Sequence, residues 1–271
     1  MTHAFQAWRA IVLRELLKFS RQSGRLVSAL VRPLLWLAVF AAGFRNVFGV
    51  AIVEPYDSYI PYDLYIAPGL VGMVLLFNGM QSSLAMVYDR EMGLMRLLLT
   101  APLPRWWILF AKLSATAVLS LAQALAFVIV AALIGTGLPV LGPQTPMVLL
   151  AAVSAALMLG ALGLLLSVHI KQLENFAGTM NFVIFPMYFM STALYPLWKL
   201  EESGAAWVYQ IARFNPFTHA VEWLRFSLYG KDPGISPWIV LGTLVLCFGL
   251  ATWGYDPQRG FGALTKRGGS A

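Results

Sequence analysis

Charge is scarce in this chain. Asp, Glu, Lys and Arg make up 11% of its 271 residues, where a soluble globular protein carries about 25%. Hydrophobic residues reach 59% and the mean hydropathy is +0.72. So little polar surface cannot coat a water-facing globule, and lipid must be the solvent for most of the protein. The single cysteine, Cys247, excludes an intrachain disulfide. The three histidines, His3, His169 and His219, lie far apart and on different sides of the expected bilayer, which argues against a histidine metal site. There is no Gly-x-Ser-x-Gly turn and no His-Glu-x-x-His. Gly230-Lys231 lacks the upstream glycine of a phosphate-binding loop and is followed by Asp. If this protein uses ATP, another chain must hydrolyse it.

Long uncharged runs are what the chain has instead. A spanning helix needs roughly 20 apolar residues, and Leu64 to Tyr88, Asn175 to Trp198 and Pro233 to Tyr255 each qualify. From Leu113 to Ile170 the only ionisable side chain is His169. The Gly- and Pro-rich stretch from Gly135 to Pro146 divides that run into two helices. One further span is bounded less cleanly, with either Arg32 snorkelling from its inner end or Arg45 from its outer end. The pattern predicts an all-α membrane protein with six spans, at about 29–49, 65–88, 110–134, 147–168, 175–196 and 234–255. A single domain would cover 1–271, with an interfacial helix over 1–27 and a tail over 256–271.

With both termini inside, the inner segments hold 14 of the 19 Lys and Arg residues, against 5 of the 12 acidic ones. That is a strong positive-inside bias. It makes the net charge of +7 an insertion signal and not a nucleic-acid footprint. The first apolar stretch follows about 30 residues of basic, helix-forming sequence, too long for a signal-peptide n-region.

The segments outside the spans are not plain connectors. Phe5, Trp8, Val12, Leu16 and Phe19 share one face of an N-terminal helix, with Arg14, Lys18, Arg21 and Arg25 opposite. This suits either a helix lying on an anionic leaflet or a simple topogenic tail. Between spans 2 and 3, Asp89 to Thr100 can form a short helix stopped by Ala101-Pro102-Leu103-Pro104. Its exposed leucines and methionines suit a protein partner, or a bed of lipid headgroups. The aromatic-rich segment from Pro196 to Asp232 is broken in two by Asn215-Pro216. It reads as two short helices dipping into the outer interface, or as an ordinary aromatic belt.

Inside the spans the polar residues are neutral. Asn78, Gln81, Gln123 and Asn181 are candidates for a substrate path or for interhelical hydrogen bonds, and no ion-coupling carboxylate is evident. Ala152, Ala156 and Gly160 form a small-xxx-small face for close helix packing, within the chain or between subunits.

The string Glu91-Met-Gly93-Leu-Met-Arg96-Leu-Leu-Leu99-Thr-Ala-Pro102-Leu-Pro-Arg105, running on to Lys112, resembles the signature of the ABC-2 type permeases, the membrane subunits of ATP-driven exporters. Asn215-Pro216-Phe-Thr-His219-Ala-Val-Glu-Trp-Leu-Arg225 is similar to the segment before that family's last span. The resemblance implies an export permease for an amphipathic, lipid-linked, drug-like or polymeric cargo in a bacterial inner membrane. It implies a partner ATPase subunit carrying ATP and Mg, no cofactor on this chain, and a second permease copy or a paralogue. It would place Glu91, Gly93, Arg96, Leu99, Pro102 and Arg105 in a coupling loop that docks on the ATPase, and Asn215, Pro216 and Arg225 in an outer re-entrant hairpin. The competing reading is a membrane anchor or scaffold with no transport path. A membrane-embedded enzyme fares worse, for want of a reactive cluster at any one depth.

Overall fold

The computed structural model describes residues 2–21, 23–44, 49–50, 55–56, 60–93, 104–134, 142–170, 172–202, 204 and 206–254. Among these the chain is almost entirely helical. In order it forms α1 (Thr2–Ser20), α2 (Ser23–Phe44), β1 (Gly49–Val50), β2 (Ile60–Pro61), α3 (Tyr62–Glu91), α4 (Arg105–Leu133) and α5 (Thr145–His169). It continues with α6 (Leu173–Phe189), α7 (Leu197–Glu202), α8 (Ala206–Phe214), α9 (Pro216–Leu228) and α10 (Ser236–Gly254). The strands are one two-residue antiparallel pair, Gly49 opposite Pro61 and Val50 opposite Ile60.

Among the described residues four stretches are long and apolar enough to cross a membrane: Leu64–Glu91, Arg105–Leu133, Thr145–His169 and Ser236–Gly254. The bundle is built around α3, which packs on α2, α4, α5, α6 and α9, while α10 lies outside against α5 and α9. Burial follows that order: 72% of the most apolar window of α3 is enclosed, but only 17% of that of α10. The outward faces are apolar, with Leu125, Ile129 and Leu133 on α4, Phe182 and Phe185 on α6, and Val245 and Leu246 on α10 all exposed. Such a surface is stable only in lipid. Trp238 and Trp253 stand exposed near the two ends of α10, about 22 Å apart at the α-helical rise, where a pair of interfacial tryptophans belongs.

Three element boundaries differ from the sequence reading. Helix α3 runs on through Glu91, so Asp89 belongs to its last turn and does not start a separate helix; residues 94–103 lie outside the described ones. Helix α2 begins at Ser23 and extends to Phe44, earlier than 29–49, and Arg45 is outside the described residues. Helix α6 stops at Phe189, seven residues before 196, and the chain is non-helical from Met190 to Pro196.

The small-residue face of α5 is used inside this chain. Ala156 is fully buried, and a Cβ on Gly160 would lie 2.8 Å from Leu113 Cδ1 of α4. One turn on, a Cβ on Gly163 would collide with Ser83 Oγ and lie 2.9 Å from the Gly79 carbonyl oxygen. Here α3 and α5 touch backbone to backbone, which only glycine permits. Gly163→Val is expected to force the pair apart at a cost of about 2 kcal/mol or more. Thermal unfolding in detergent, followed by a thiol-reactive dye on buried Cys247, should show a clear fall in Tm, whereas Gly249→Val, in open space on α10, should not.

Candidate functional site

At the end of the bundle that carries α1, the last turn of α3 binds four other helices. Asp89 is buried, and its Oδ2 accepts from Lys112 Nζ of α4 at 2.8 Å. Arg14 and Lys18 of α1 approach the other oxygen, each at 3.8 Å. A carboxylate withdrawn from water needs such compensation, so it draws α1 onto the bundle. Trp107 of α4 adds a hydrogen bond from Nε1 to the Ala4 carbonyl, 2.9 Å. The sequence reading of α1 is therefore corrected at Arg14 and Lys18, which turn toward Asp89 instead of toward headgroups. On the apolar face Phe5 is exposed, while Ile11 and Val12 are buried.

The next two residues of α3 use helix ends. Arg90 Nη2 donates to the Ser167 carbonyl in the last turn of α5, 2.7 Å, and Glu91 Oε1 accepts from the Leu173 N–H that opens α6, 2.8 Å. A cation at a C-terminus and an anion at an N-terminus both oppose the exposed ends of the helix dipoles. Gly93 follows at φ +71°, a glycine stop whose N–H closes on the Arg90 carbonyl. Of the expected coupling residues, Glu91 and Gly93 thus sit at the exit of α3, and Arg105 is the first residue of α4. Arg96, Leu99 and Pro102 lie outside the described residues.

Midway along α3 the polar residues split into two groups. Asn78 donates to Ser120 Oγ at 2.8 Å and accepts from Gln123 Nε2 at 3.3 Å. Gln81 joins Asn78 and Gln123 around a small cavity that also touches Arg32 and Phe77. The Arg32 guanidinium lies over the Phe77 ring, 3.8 Å from its centroid, so Arg32 is directed into the bundle. Asn181 is not part of this group and lies on an exposed face of α6. The cavity has room for a water-sized group and nothing larger, so the arrangement is a closed polar seam.

At the opposite end, the unwound segment 190–196 presents carbonyls that no helix satisfies, and buried side chains supply the donors. Asn215 Nδ2 donates to Met187 and Met190 carbonyls at 2.7 and 2.8 Å, while its Oδ1 accepts from Phe217 N–H at 3.0 Å and caps α9. Pro216, at the first turn of α9, has no N–H to leave unpaired. Arg225, 2% exposed, donates through Nη2 to the Thr192 carbonyl at 2.8 Å, pairs with Glu222 through Nη1, and lies 4.1 Å from the Tyr65 ring centroid. Tyr65 also donates to Thr192 O at 3.1 Å, and Tyr62 to Leu194 O at 2.5 Å.

Tyr56, in the segment before α3, packs edge-on against Tyr229, and burial pushes its hydroxyl well above the usual tyrosine range. Burial likewise holds His219 below the usual histidine range. The ring is therefore neutral at pH 7, with Nε2–H donating to the Arg213 carbonyl and Nδ1 accepting from Ser236. The sequence singles out Asn215, Pro216 and Arg225 by resemblance but does not reveal the partners they meet here. The only signal was Tyr62-x-x-Tyr65, two phenols one turn apart on a helix face.

Asn215 offers a sharp test, because its donors and its acceptor do different work. Asn215→Ala should cost about 2–4 kcal/mol, from one lost cap and two stranded carbonyls. Asn215→Asp keeps the cap but aims carboxylate oxygens at two carbonyl oxygens, so it should destabilise at least as much. Thermal unfolding by Cys247 labelling measures both. An aspartate variant as stable as the parent would show that capping alone is what matters.

The chain matches the family model for the ABC-2 type transporter over residues 6–229. It is 31% identical over 232 residues to the transport permease ycf38 of Porphyra purpurea, covering 84% of this chain and 75% of that protein. It is 30% identical over 243 residues to the transport permease ycf38 of Cyanophora paradoxa, covering 86% and 76%. A bundle of long apolar helices with apolar outward faces agrees with these matches: the protein belongs to the ABC-2 type transporter family and is a multi-pass membrane subunit of a transporter.

Proposed function

We propose that this chain is the permease of an ATP-driven exporter, working as a homodimer with two copies of a separate ATPase. The observation that carries the reading is the pair Arg90 and Glu91. They hold the start of the α3–α4 connection to the end of α5 and to the beginning of α6. A push delivered to that connection by a closing ATPase would move α3, α5 and α6 together, as a rigid-body switch requires. Arg96, Leu99, Pro102 and Arg105 complete the docking loop in this reading, and ATP and Mg stay on the partner.

Six spans are part of the proposal. Beyond the four long apolar helices, α2 has 22 residues and α6 has 17, about 33 and 25 Å at the helical rise. With α7 to α9 returning to the outer face, six crossings put both termini on the ATPase side, in line with the positive-inside bias. In a bacterial inner membrane this arrangement moves an amphipathic or lipid-linked cargo outward through the seam lined by Asn78, Gln81 and Gln123.

Two measurements test this. A Walker-motif ATPase should co-purify with the permease in equal amount; recovery as a lone chain in every mild detergent would favour a scaffold. In the complex, Glu91→Arg places a cation against the α6 N-terminus. It is expected to cut permease-stimulated ATPase activity and transport at least tenfold, with membrane insertion unchanged. Arg96→Glu is expected to do the same by weakening docking. Unaltered transport in both variants would defeat the coupling assignment.

A further inference from the structure

Two stripes of polar residues face each other along the spanning helices α3 and α4. On α4, Lys112, Thr116, Ser120 and Gln123 recur at three- and four-residue spacing, and all are buried. On α3, Asn78, Ser82 and Asp89 lie on the facing stripe. The stripes join where Lys112 meets Asp89, and again where Ser120 and Gln123 meet Asn78. Along this line lie two small cavities that share Asn78 in their walls. The one nearer α1, about 30 Å³, is lined by Lys112, Thr116 and Ser82 and, from α1, by Glu15 and Lys18. The deeper one, about 10 Å³, is lined by Gln123, Gln81 and Arg32.

These walls carry bonding capacity that the described residues leave unused. Lys112, 7% exposed, has three N–H groups and spends one, on Asp89. Gln123, 2% exposed, has an Oε1 without a hydrogen-bond partner. A buried water needs about 10–15 Å³ and two to four polar partners, so the outer cavity suits two molecules and the deeper one a single molecule. The chemistry suits water as well as the size does. Water accepts from Lys112 or Arg32 and donates to Gln123 Oε1, and the Thr116 and Ser82 hydroxyls can do either. Beyond Gln123 the same two faces turn apolar, with Phe127 and Ala131 on α4 and Val74 and Leu70 on α3, all buried. Water that comes this far goes no farther.

We propose that α3 and α4 enclose a hydrated half-channel, a file of water running about 16 Å from Lys112 to Gln123 by the helical rise. Helix α1 covers it at one end, where Glu15 and Lys18 wall the cavity and the pairs of Arg14 and Lys18 with Asp89 hold the helix down. The Phe127 layer stops it at the other. Water thus reaches membrane depth from the α1 face alone, which is where a polar stripe on a spanning helix is tolerated, and the bilayer stays sealed. The inference goes beyond the permease reading and holds whatever the cargo.

Radiolytic hydroxyl labelling in water carrying a heavy oxygen isotope marks side chains that stand beside bound water, and it can be run on the full-length protein. Met73 borders the deeper cavity, whereas Met80 and Met158 are also buried and border neither. With identical side-chain chemistry, Met73 should take up at least fivefold more label than either. Leu119, in the wall of the outer cavity, should be labelled and Phe127 should not. Arg14→Gln combined with Lys18→Gln releases α1 from Asp89; it should raise Leu119 labelling at least threefold and leave Met158 unchanged. If that double variant does not fold, Lys18→Gln alone is read, with about a twofold rise expected. Met73 labelled no more than Met80 and Met158 would overturn the water file. Label on Phe127 equal to that on Leu119 would replace the half-channel by a through-channel. Unchanged Leu119 labelling in the variant that folds would remove α1 as the cover.

Discussion

A backbone carbonyl buried away from water must find a donor inside the protein, and this constraint organises one whole end of the structure. Helix α6 gives out at Phe189, and the next seven residues cannot satisfy themselves. Their acceptors are met by Asn215, Arg225, Tyr65 and Tyr62, with Tyr195 donating back to Phe189 and Ser191 to Tyr188. The donors come from α3 and from the junction and body of α9, so the irregular segment is what locks those elements together. Gly69 completes the fit: a Cβ there would lie 2.8 Å from Ala193 Cα, so α3 presses its bare backbone on the unwound chain. Arg225 is buried because its charge is spent on a carboxylate, a carbonyl and an aromatic face at once.

Helix α3 carries that order to the other end of the bundle. Tyr62 and Tyr65 lie in its first turn, Gly79 meets α5 at its centre, and Asp89, Arg90 and Glu91 close it against α1, α4, α5 and α6. The two ends use opposite chemistry. One is a net of hydrogen bonds to buried main-chain carbonyls. The other is an ion cluster and two helix-end charges, where each buried or half-buried charge meets an opposite charge or a helix end. Between these polar tips, α3 is held by glycine contacts with α5.

Periodicity and composition made the helical membrane class legible, because a bilayer demands long uncharged runs that no soluble fold requires. Asn215-Pro216 was legible as a helix break for an equally local reason: a capping side chain and a residue with no N–H sit side by side. The α1 amphipathicity was legible only as a pattern. Which of its basic residues turn inward depended on a buried carboxylate 75 residues away in sequence, Asp89 against Arg14. Asp89 itself looked like the start of a surface helix, since nothing local reveals that Lys112 stands beside it.

By itself, then, the sequence determined what this protein is dissolved in, where its long helices run, and which motifs flank them. These depend on residue type and near neighbours alone. Tertiary structure decided where α6 unwinds, why Arg225 and Asp89 tolerate burial, that Glu91 caps α6, and that Arg32 turns into the bundle while Asn181 faces out. Each of those outcomes turns on which donor meets which acceptor across helices distant in sequence, and in a medium without water that pairing is fixed only once the helices have packed.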